Sequence, residues 1–187
     1  MQELPYKHKI VIPGNHDFGL EPETEVYKEL ANKFGTKEKE KVEPQNELKK
    51  LKEVCTVLMH EMIEIEGLKI FGSPYVVSDR KMGFTYPPEK GEAIWSNLPE
   101  DIDILVTHCP PFGVHDVIKG LNIHGGCKAL LNAVQHINPK VHIFGHIHES
   151  FGASIIGPTK FYNVGFLDEH YTIKNKPVLI EIEFPLK

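Results

Sequence analysis

The sequence is poor in cysteine and has no excess of positive charge. Its three cysteines, Cys55, Cys109 and Cys127, show no CxxC spacing, which favours a reduced, cytoplasmic protein over a disulfide framework. The net charge is −5, from 21 basic and 26 acidic residues, so dedicated nucleic-acid binding through phosphate charge is not expected. No apolar run approaches the ~18–20 residues that span a bilayer, and the N-terminus is too polar for a signal peptide.

The composition instead fits one globular domain over residues 1–187. Hydrophobic residues make up 41% of the chain and glycines number 15, which places it among globular rather than disordered proteins. No repeat, low-complexity tract or linker divides it. The histidines are unusual, because seven of the 11 lie between residues 108 and 148.

The hydrophobic pattern predicts an α/β fold with sheets flanked by helices. Helices are expected at residues 22–35, 44–52 and 128–137. Short β-branched and aromatic runs predict strands at residues 8–12, 63–66, 68–71, 104–107, 141–144, 160–164 and 178–184. Glu66-Gly67 predicts a hairpin turn. In the last strand, apolar residues alternate with Glu181 and Glu183, so one of its faces should meet water.

Three of the predicted strands end in residues that bind metals in proteins. The polar segments are residues 14–17 (Gly-Asn-His-Asp), His108, and residues 145–148 (Gly-His-Ile-His). Ligands of open α/β sheets collect outside the carboxyl ends of strands, so we expect these side chains to form one metal site. Gly14 and Gly145 would let the backbone turn sharply and approach the ions.

The spacing within the motifs also suits a metal site. In an extended segment residues i and i+2 face the same way, so His146 and His148 would present their imidazoles side by side. That arrangement suits two ions about 3.5–4 Å apart. Asn15 and His16 diverge, so one can bind metal while the other meets substrate. Asp17 is expected to hydrogen-bond His16 and hold its tautomer.

Taken in order, these motifs resemble the later motifs of the calcineurin-like metallophosphoesterases. The resemblance runs over residues 4–185 and is strongest for a subgroup of metallophosphoesterase-domain proteins; it includes residues 72–75 (Gly-Ser-Pro-Tyr) and 108–111 (His-Cys-Pro-Pro). It implies a four-layer α/β/β/α sandwich, of which this chain would hold the C-terminal two-thirds and lack the N-terminal strands.

The resemblance also implies an activity and a role for each motif residue. The activity is hydrolysis of phosphodiesters, including cyclic nucleotides, by a metal-activated hydroxide, with Mn, Fe, Zn or Ni as the two divalent ions. The implied roles are metal binding by Asn15, His108 and His146 at one ion and by His148 at the other, and leaving-group protonation by His16 with support from Asp17.

Substrate contacts are expected from three further residues. His115 and His124 closely follow the His108 loop, and Asn163 belongs to an Asn-x-Gly sequence that resembles a loop near the family's site. The expected partner is a small phosphodiester or nucleotide. Lost N-terminal strands would expose sheet edges, through which the chain could also form an oligomer.

Two early motifs of the family, Asp-x-His and Gly-Asp, are absent from this sequence. None of the thirteen residues before Gly14 is an aspartate. Those motifs supply both aspartate ligands, including the carboxylate that bridges the ions. We therefore expect this chain to bind one ion, weakly, and to hydrolyse a nitrophenyl phosphodiester slowly or not at all.

Three interpretations of this absence stay open. The chain is an active phosphodiesterase without its N-terminal part, or a degenerate relative that serves in binding or regulation. In the third interpretation it is a short enzyme that recruits carboxylates elsewhere, such as Asp17, Glu149 or acids of a partner chain.

Overall fold

The computed structural model describes residues 2–21 and 44–183, and these ranges contain three α-helices and twelve short strands. The helices are α1 (Pro44–Lys52), α2 (Gly91–Trp95) and α3 (Lys128–Ile137). The first six strands are β1 (Ile10–Val11), β2 (Thr56–Val57), β3 (Glu61–Ile65), β4 (Leu68–Ser73), β5 (Val76–Val77) and β6 (Thr85–Tyr86). The others are β7 (Ile104–Thr107), β8 (Val117–Ile118), β9 (Ile123–His124), β10 (Val141–Phe144), β11 (Gly152–Ile156) and β12 (Thr159–Asn163).

A six-stranded mixed sheet in the order β11-β12-β10-β7-β4-β3 forms the centre of the fold. The four inner strands are parallel, and the two edge strands pair antiparallel with their neighbours. Ile104 pairs with both Ile70 and Val141, which aligns the three central strands. The carboxyl ends of β4, β7, β10 and β12 consequently meet at one edge of the sheet, where the predicted site residues begin.

One face of this sheet packs against α2 and α3. Trp95 and Leu130 from the helices join Phe71, Leu105 and Phe144 from the strands in the larger core cluster. These side chains are almost completely buried. The helices therefore fix the strands whose ends carry the site.

The other face is covered by a much smaller sheet, the parallel pair β1–β2. Leu58, Ile70 and Ile104 are buried there, whereas Val106 and Ile143 of the central strands are only half-buried. The expected α/β sandwich is confirmed, and in the described residues its second sheet consists of two short strands.

Most predicted elements match the structure, because the hydrophobic runs are well bounded. The helices at 44–52 and 128–137 and the strands at 104–107 and 141–144 agree at both ends. The hairpin turn is confirmed, with Glu66 at φ 52° and Gly67 at φ 84°, as in type I′ turns. The strand at 8–12 shortens to Ile10–Val11.

The prediction of a strand at 178–184 is wrong for residues 178–183, the described part of that segment. Ile180 and Ile182 are half-buried while Leu179 is 88% exposed, so burial alternates over residues 179–183. The backbone does not pair with a neighbouring strand, and alternation alone cannot supply one. The helix predicted at 22–35 lies outside the described residues. Among the described residues, no helix combines the length and apolar character needed to cross a membrane.

Candidate metal centre

Five of the six residues predicted to bind metal or catalyse lie around one cavity of about 620 Å³. The cavity opens at the carboxyl edge of the large sheet. The five residues are Asn15, His16, His108, His146 and His148. Asp17, the sixth, is not part of the cavity lining. The sequence prediction that separate strand ends converge therefore holds for these five side chains.

His108 and Asn15 contact each other directly. The His108 Nε2 lies 2.9 Å from Asn15 Oδ1, and the His108 backbone N–H donates to the carbonyl of Ser73 at the end of β4. Gly14 lies against the His108 ring, because a Cβ on Gly14 would fall 2.4–2.7 Å from three ring atoms. The absence of a side chain at Gly14 is thus what lets the loop from β1 reach the ring.

His146 completes a compact trio with these two residues. Its ring centroid lies 4.9 Å from that of His108. Burial, together with repulsion from the neighbouring histidines, lowers the pKa of His108 to about 4 and that of His146 to about 3. Both imidazoles are therefore neutral at pH 7, the state in which a histidine nitrogen can bind a metal.

The turn between His146 and His148 differs from the predicted extended segment. His146 adopts a left-handed conformation with φ 66°, and His148 begins a short 3-10 turn. Gly145 does not adopt a positive φ, and a Cβ there would meet nothing within 4 Å. The turn and close approach predicted for Gly145 are therefore wrong, and His146 makes the turn. His148 nevertheless lines the cavity.

The orientation of His148 follows from its hydrogen bond. Its Nδ1 lies 2.8 Å from the backbone carbonyl oxygen of Asp168. Because a carbonyl can only accept, Nδ1 is the donor of this bond. Nε2 is therefore the ring nitrogen that would be used to bind an ion.

His16 and Asp17 follow different paths from the same loop. The Tyr171 hydroxyl lies 3.2 Å from His16 Nε2, and the Tyr171 ring packs edge-on against His148 at 5.3 Å. Asp17 instead accepts from the backbone N–H of Gly14 over 2.8 Å, while its own N–H donates to the Gly14 carbonyl. The carboxylate of Asp17 therefore closes the loop rather than orienting His16.

The donor types at this position are those of transition-metal sites. Asn15 Oδ1 and His108 Nε2 lie 2.9 Å apart, a separation that also suits a hydrogen bond. Neutral imidazoles and an amide oxygen suit Mn, Fe, Ni or Zn. Across residues 2–21 and 44–183, no three His, Cys, Asp or Glu side chains converge as a metal cluster. No described carboxylate therefore completes a cluster with His108 and His146.

The three residues predicted to contact substrate lie outside the cavity lining. Asn163 donates from Nδ2 to the carbonyls of His115 and Ile147, and so fixes the segment between the two site histidines. His124 Nδ1 lies 2.7 Å from the buried carboxylate of Asp116. Through these contacts, Asn163 and His124 stabilise the loops around the site.

Other residues that line the cavity carried no motif in the sequence. They include Arg80, Met82, Leu121, Ile123, Glu169 and Tyr171. For Leu121 and Ile123 a signal existed, because they are large apolar residues inside a segment with glycines at 120, 125 and 126. Tyr171 follows the last strand of the sheet as an isolated aromatic residue, and no local pattern marks it.

Comparison with known proteins shows which family the chain resembles. The sequence model of the family described as Calcineurin-like phosphoesterase matches residues 1–150. The chain is 35% identical over 188 residues to Metallophosphoesterase domain-containing protein 1 of Homo sapiens, covering 97% of this chain and 57% of that protein. A UPF0046 protein of Caenorhabditis elegans is also 35% identical, over 192 residues, with 97% of this chain and 64% of that protein covered.

A solved structure gives a matching fold, with a TM-score of 0.56 at 20% identity over 83% of this chain and 56% of the other. The chain spans 57–64% of the length of these two curated relatives. The family match covers most of the chain, and so does the match to the human relative. This chain belongs to the calcineurin-like phosphoesterase family.

Proposed function

We propose that the cavity hydrolyses phosphodiesters with the help of a divalent metal ion. Family membership supports metal-dependent phosphoester hydrolysis in general. The observation that carries the proposal is the contact of Asn15 Oδ1 with His108 Nε2 beside the ring of His146, with both imidazoles neutral at pH 7.

The side chains that would hold the ion are Asn15, His108 and His146, with His148 next to them in the cavity. An ion there would supply a Lewis acid that polarises a phosphoryl oxygen and activates water. The chain holds these donors in place through the His108–Ser73 backbone bond and the Asn163–Ile147 bond. These bonds hold the backbone of the donor residues in place, and a bound ion would replace the contact between Asn15 Oδ1 and His108 Nε2.

His16 is the proposed proton donor to the leaving oxygen. It is exposed in the cavity wall next to Asn15. Asn15 would bind the ion, while His16 would contact the leaving oxygen of the ester. A positioned histidine acting as a general acid contributes ~10²–10⁴-fold in rate. Its hydrogen bond with Tyr171 holds the ring at the cavity mouth.

The charges in the cavity favour a diester over a monoester. Glu149 and Glu169 line the cavity together with a single guanidinium, that of Arg80. A phosphomonoester carries about −1.5 to −2 charge at pH 7, whereas a diester carries one negative charge. The two carboxylates therefore repel a monoester more strongly, and we propose small phosphodiesters or nucleotides as substrates.

A second candidate function is phosphodiester binding without efficient turnover. It is favoured by the absence, across the described ranges, of a three-membered His, Cys, Asp or Glu cluster. Without a bridging carboxylate, no negative charge would offset the repulsion between two divalent ions. We therefore propose that the chain binds a single ion, weakly. A relative of this kind would serve as a binding or regulatory protein.

The cellular setting is part of the same proposal. The free thiols of Cys55, Cys109 and Cys127 support a reducing, cytoplasmic environment. The acidic net charge supports a small-molecule partner over nucleic acid. At the sheet edge formed by β11, Ile155 is 71% exposed, and we propose this edge as the route to an oligomer.

Hydrolysis of two nitrophenyl esters tests the proposal. With Mn²⁺, bis(p-nitrophenyl) phosphate should be cleaved slowly but faster than p-nitrophenyl phosphate, and His16→Asn should lower the diester rate about 10²-fold or more. The matched control is His136→Asn, an exposed histidine on α3 outside the cavity. Faster monoester cleavage, or equal effects of the two variants, would contradict the proposal. Diester binding without turnover would favour the second candidate.

A further inference from the structure

Two large apolar side chains in the cavity wall are unusually exposed. Leu121 is 67% exposed and Ile123 is 51% exposed, and both line the same cavity as His146 and His148. Exposed apolar surface beside a polar site marks a place where a ligand brings an apolar group. These two side chains form an apolar part of the cavity wall. The site histidines His108, His146 and His148 form a polar part, which suits a phosphate.

The wall that carries these side chains is a braced hairpin. Strands β8 and β9 pair antiparallel, with Ile118 opposite Ile123. At its base the fully buried carboxylate of Asp116 accepts from the N–H groups of Gly113 and Gly126 and contacts His124. The hairpin therefore presents its apolar tip from a fixed base, as a binding wall requires.

A second segment of the chain supplies further apolar lining. Val76, Val77 and Met82 line the same cavity, and Arg80 adds a guanidinium. The cavity of about 620 Å³ lies in the range of ligand sites that combine apolar walls with a few polar groups. A phosphate group alone would leave most of this space, and most of the apolar lining, in contact with water.

We propose that Leu121 and Ile123 bind an aromatic ester group of the substrate while its phosphate lies at the histidines. The inference rests on the proposed function and narrows the substrate class to phosphodiesters with at least one flat aromatic group, such as an aryl ester or a nucleobase. A flat ring suits this position because it covers apolar side chains over a large area at small entropic cost.

Equilibrium binding in the presence of Mn²⁺ tests the inference without turnover. The probes are the diesters methyl 1-naphthyl phosphate, followed by its fluorescence, and dimethyl phosphate, followed by competition. The wild-type chain should bind the naphthyl ester at least about tenfold more tightly, the scale of selectivity that apolar contacts give. The double variant Leu121→Ser, Ile123→Ser should lose most of that preference.

The matched control is Ile155→Ser, since Ile155 is 71% exposed on β11 and lies outside the cavity. It should keep the naphthyl preference. Equal wild-type affinities, no binding of the naphthyl ester, or a preference retained by the double variant would each overturn the inference. Naphthyl binding lost in the double variant, with no diester hydrolysis by the wild type, would support this inference while the proposed function failed.

Discussion

The substitution Gly14→Ala should damage metal binding while leaving the fold in place. A Cβ at this position would lie 2.4 Å from Cε1, 2.6 Å from Nε2 and 2.7 Å from Nδ1 of the His108 ring. Ordinary contacts begin at 3.4 Å, so the ring has to retreat by about 1 Å. Gly14 does not adopt a positive φ, so the backbone itself accepts alanine and the effect comes from the ring.

The ring has little freedom to make that movement. The His108 backbone is hydrogen-bonded to Ser73, its Nε2 contacts Asn15, and its ring packs in a T-shaped arrangement against that of His146. Overpacking of this kind costs about 1–3 kcal/mol of stability. Misplacing a metal ligand by disturbing its support lowers metal affinity by ~10–100-fold. Calorimetric titration with Mn²⁺, together with thermal unfolding, measures both effects.

Gly145→Ala is the matched control, because Gly145 also directly precedes a site residue. A Cβ there would meet nothing within 4 Å, and Gly145 does not adopt a positive φ. Its Mn²⁺ affinity should stay within about twofold of the wild type. The reasoning is refuted if Gly14→Ala binds Mn²⁺ like the wild type, or if both alanine variants lose affinity equally.

Two further predictions concern the core. Burial lowers the pKa of His142 to about 3, below its unfolded value of about 6.5, so the unfolded chain binds the extra proton and stability is lost as pH falls below 6.5. Between pH 7 and pH 5, the free energy of unfolding measured by urea denaturation should therefore fall by about 2 kcal/mol less in His142→Leu than in the wild type. An equal fall in the two proteins would contradict this. Tyr86→Phe removes the hydrogen-bond acceptor of the buried Trp95 Nε1–H and should lower the free energy of unfolding by about 1–3 kcal/mol. The fluorescence emission of the single tryptophan should change as well. An unchanged urea midpoint would show that this bond does not stabilise the fold.

The central strands and the meeting of their ends could be predicted from local sequence. Residues 104–107 and 141–144 are apolar runs bounded by polar or turn residues, and both bounds agree with β7 and β10. Parallel pairing then places His108 and His146 at the same edge. The metal-binding residue types at the strand ends could be predicted because the apolar runs before them show where each strand ends.

Other features depend on partners that a local pattern does not contain. Residues 179–183 alternate in burial, yet a strand also needs a neighbouring backbone. The left-handed conformation of His146 is rare for a residue with a side chain, so the sequence pattern places the turn at Gly145 instead. Tyr171 meets His16 across 155 positions of sequence, a distance over which no local motif operates.

The proposal that Asn15, His108 and His146 hold a single metal ion is best checked by calorimetric titration of the chain with Mn²⁺. We expect one ion per chain, bound at least about tenfold more weakly after His108→Ala or His146→Ala, and unchanged binding after His136→Ala on the surface of α3. Absence of binding, or equal affinity in all the variants, would show that these residues do not form a metal centre, and two tightly held ions would refute a single-ion site.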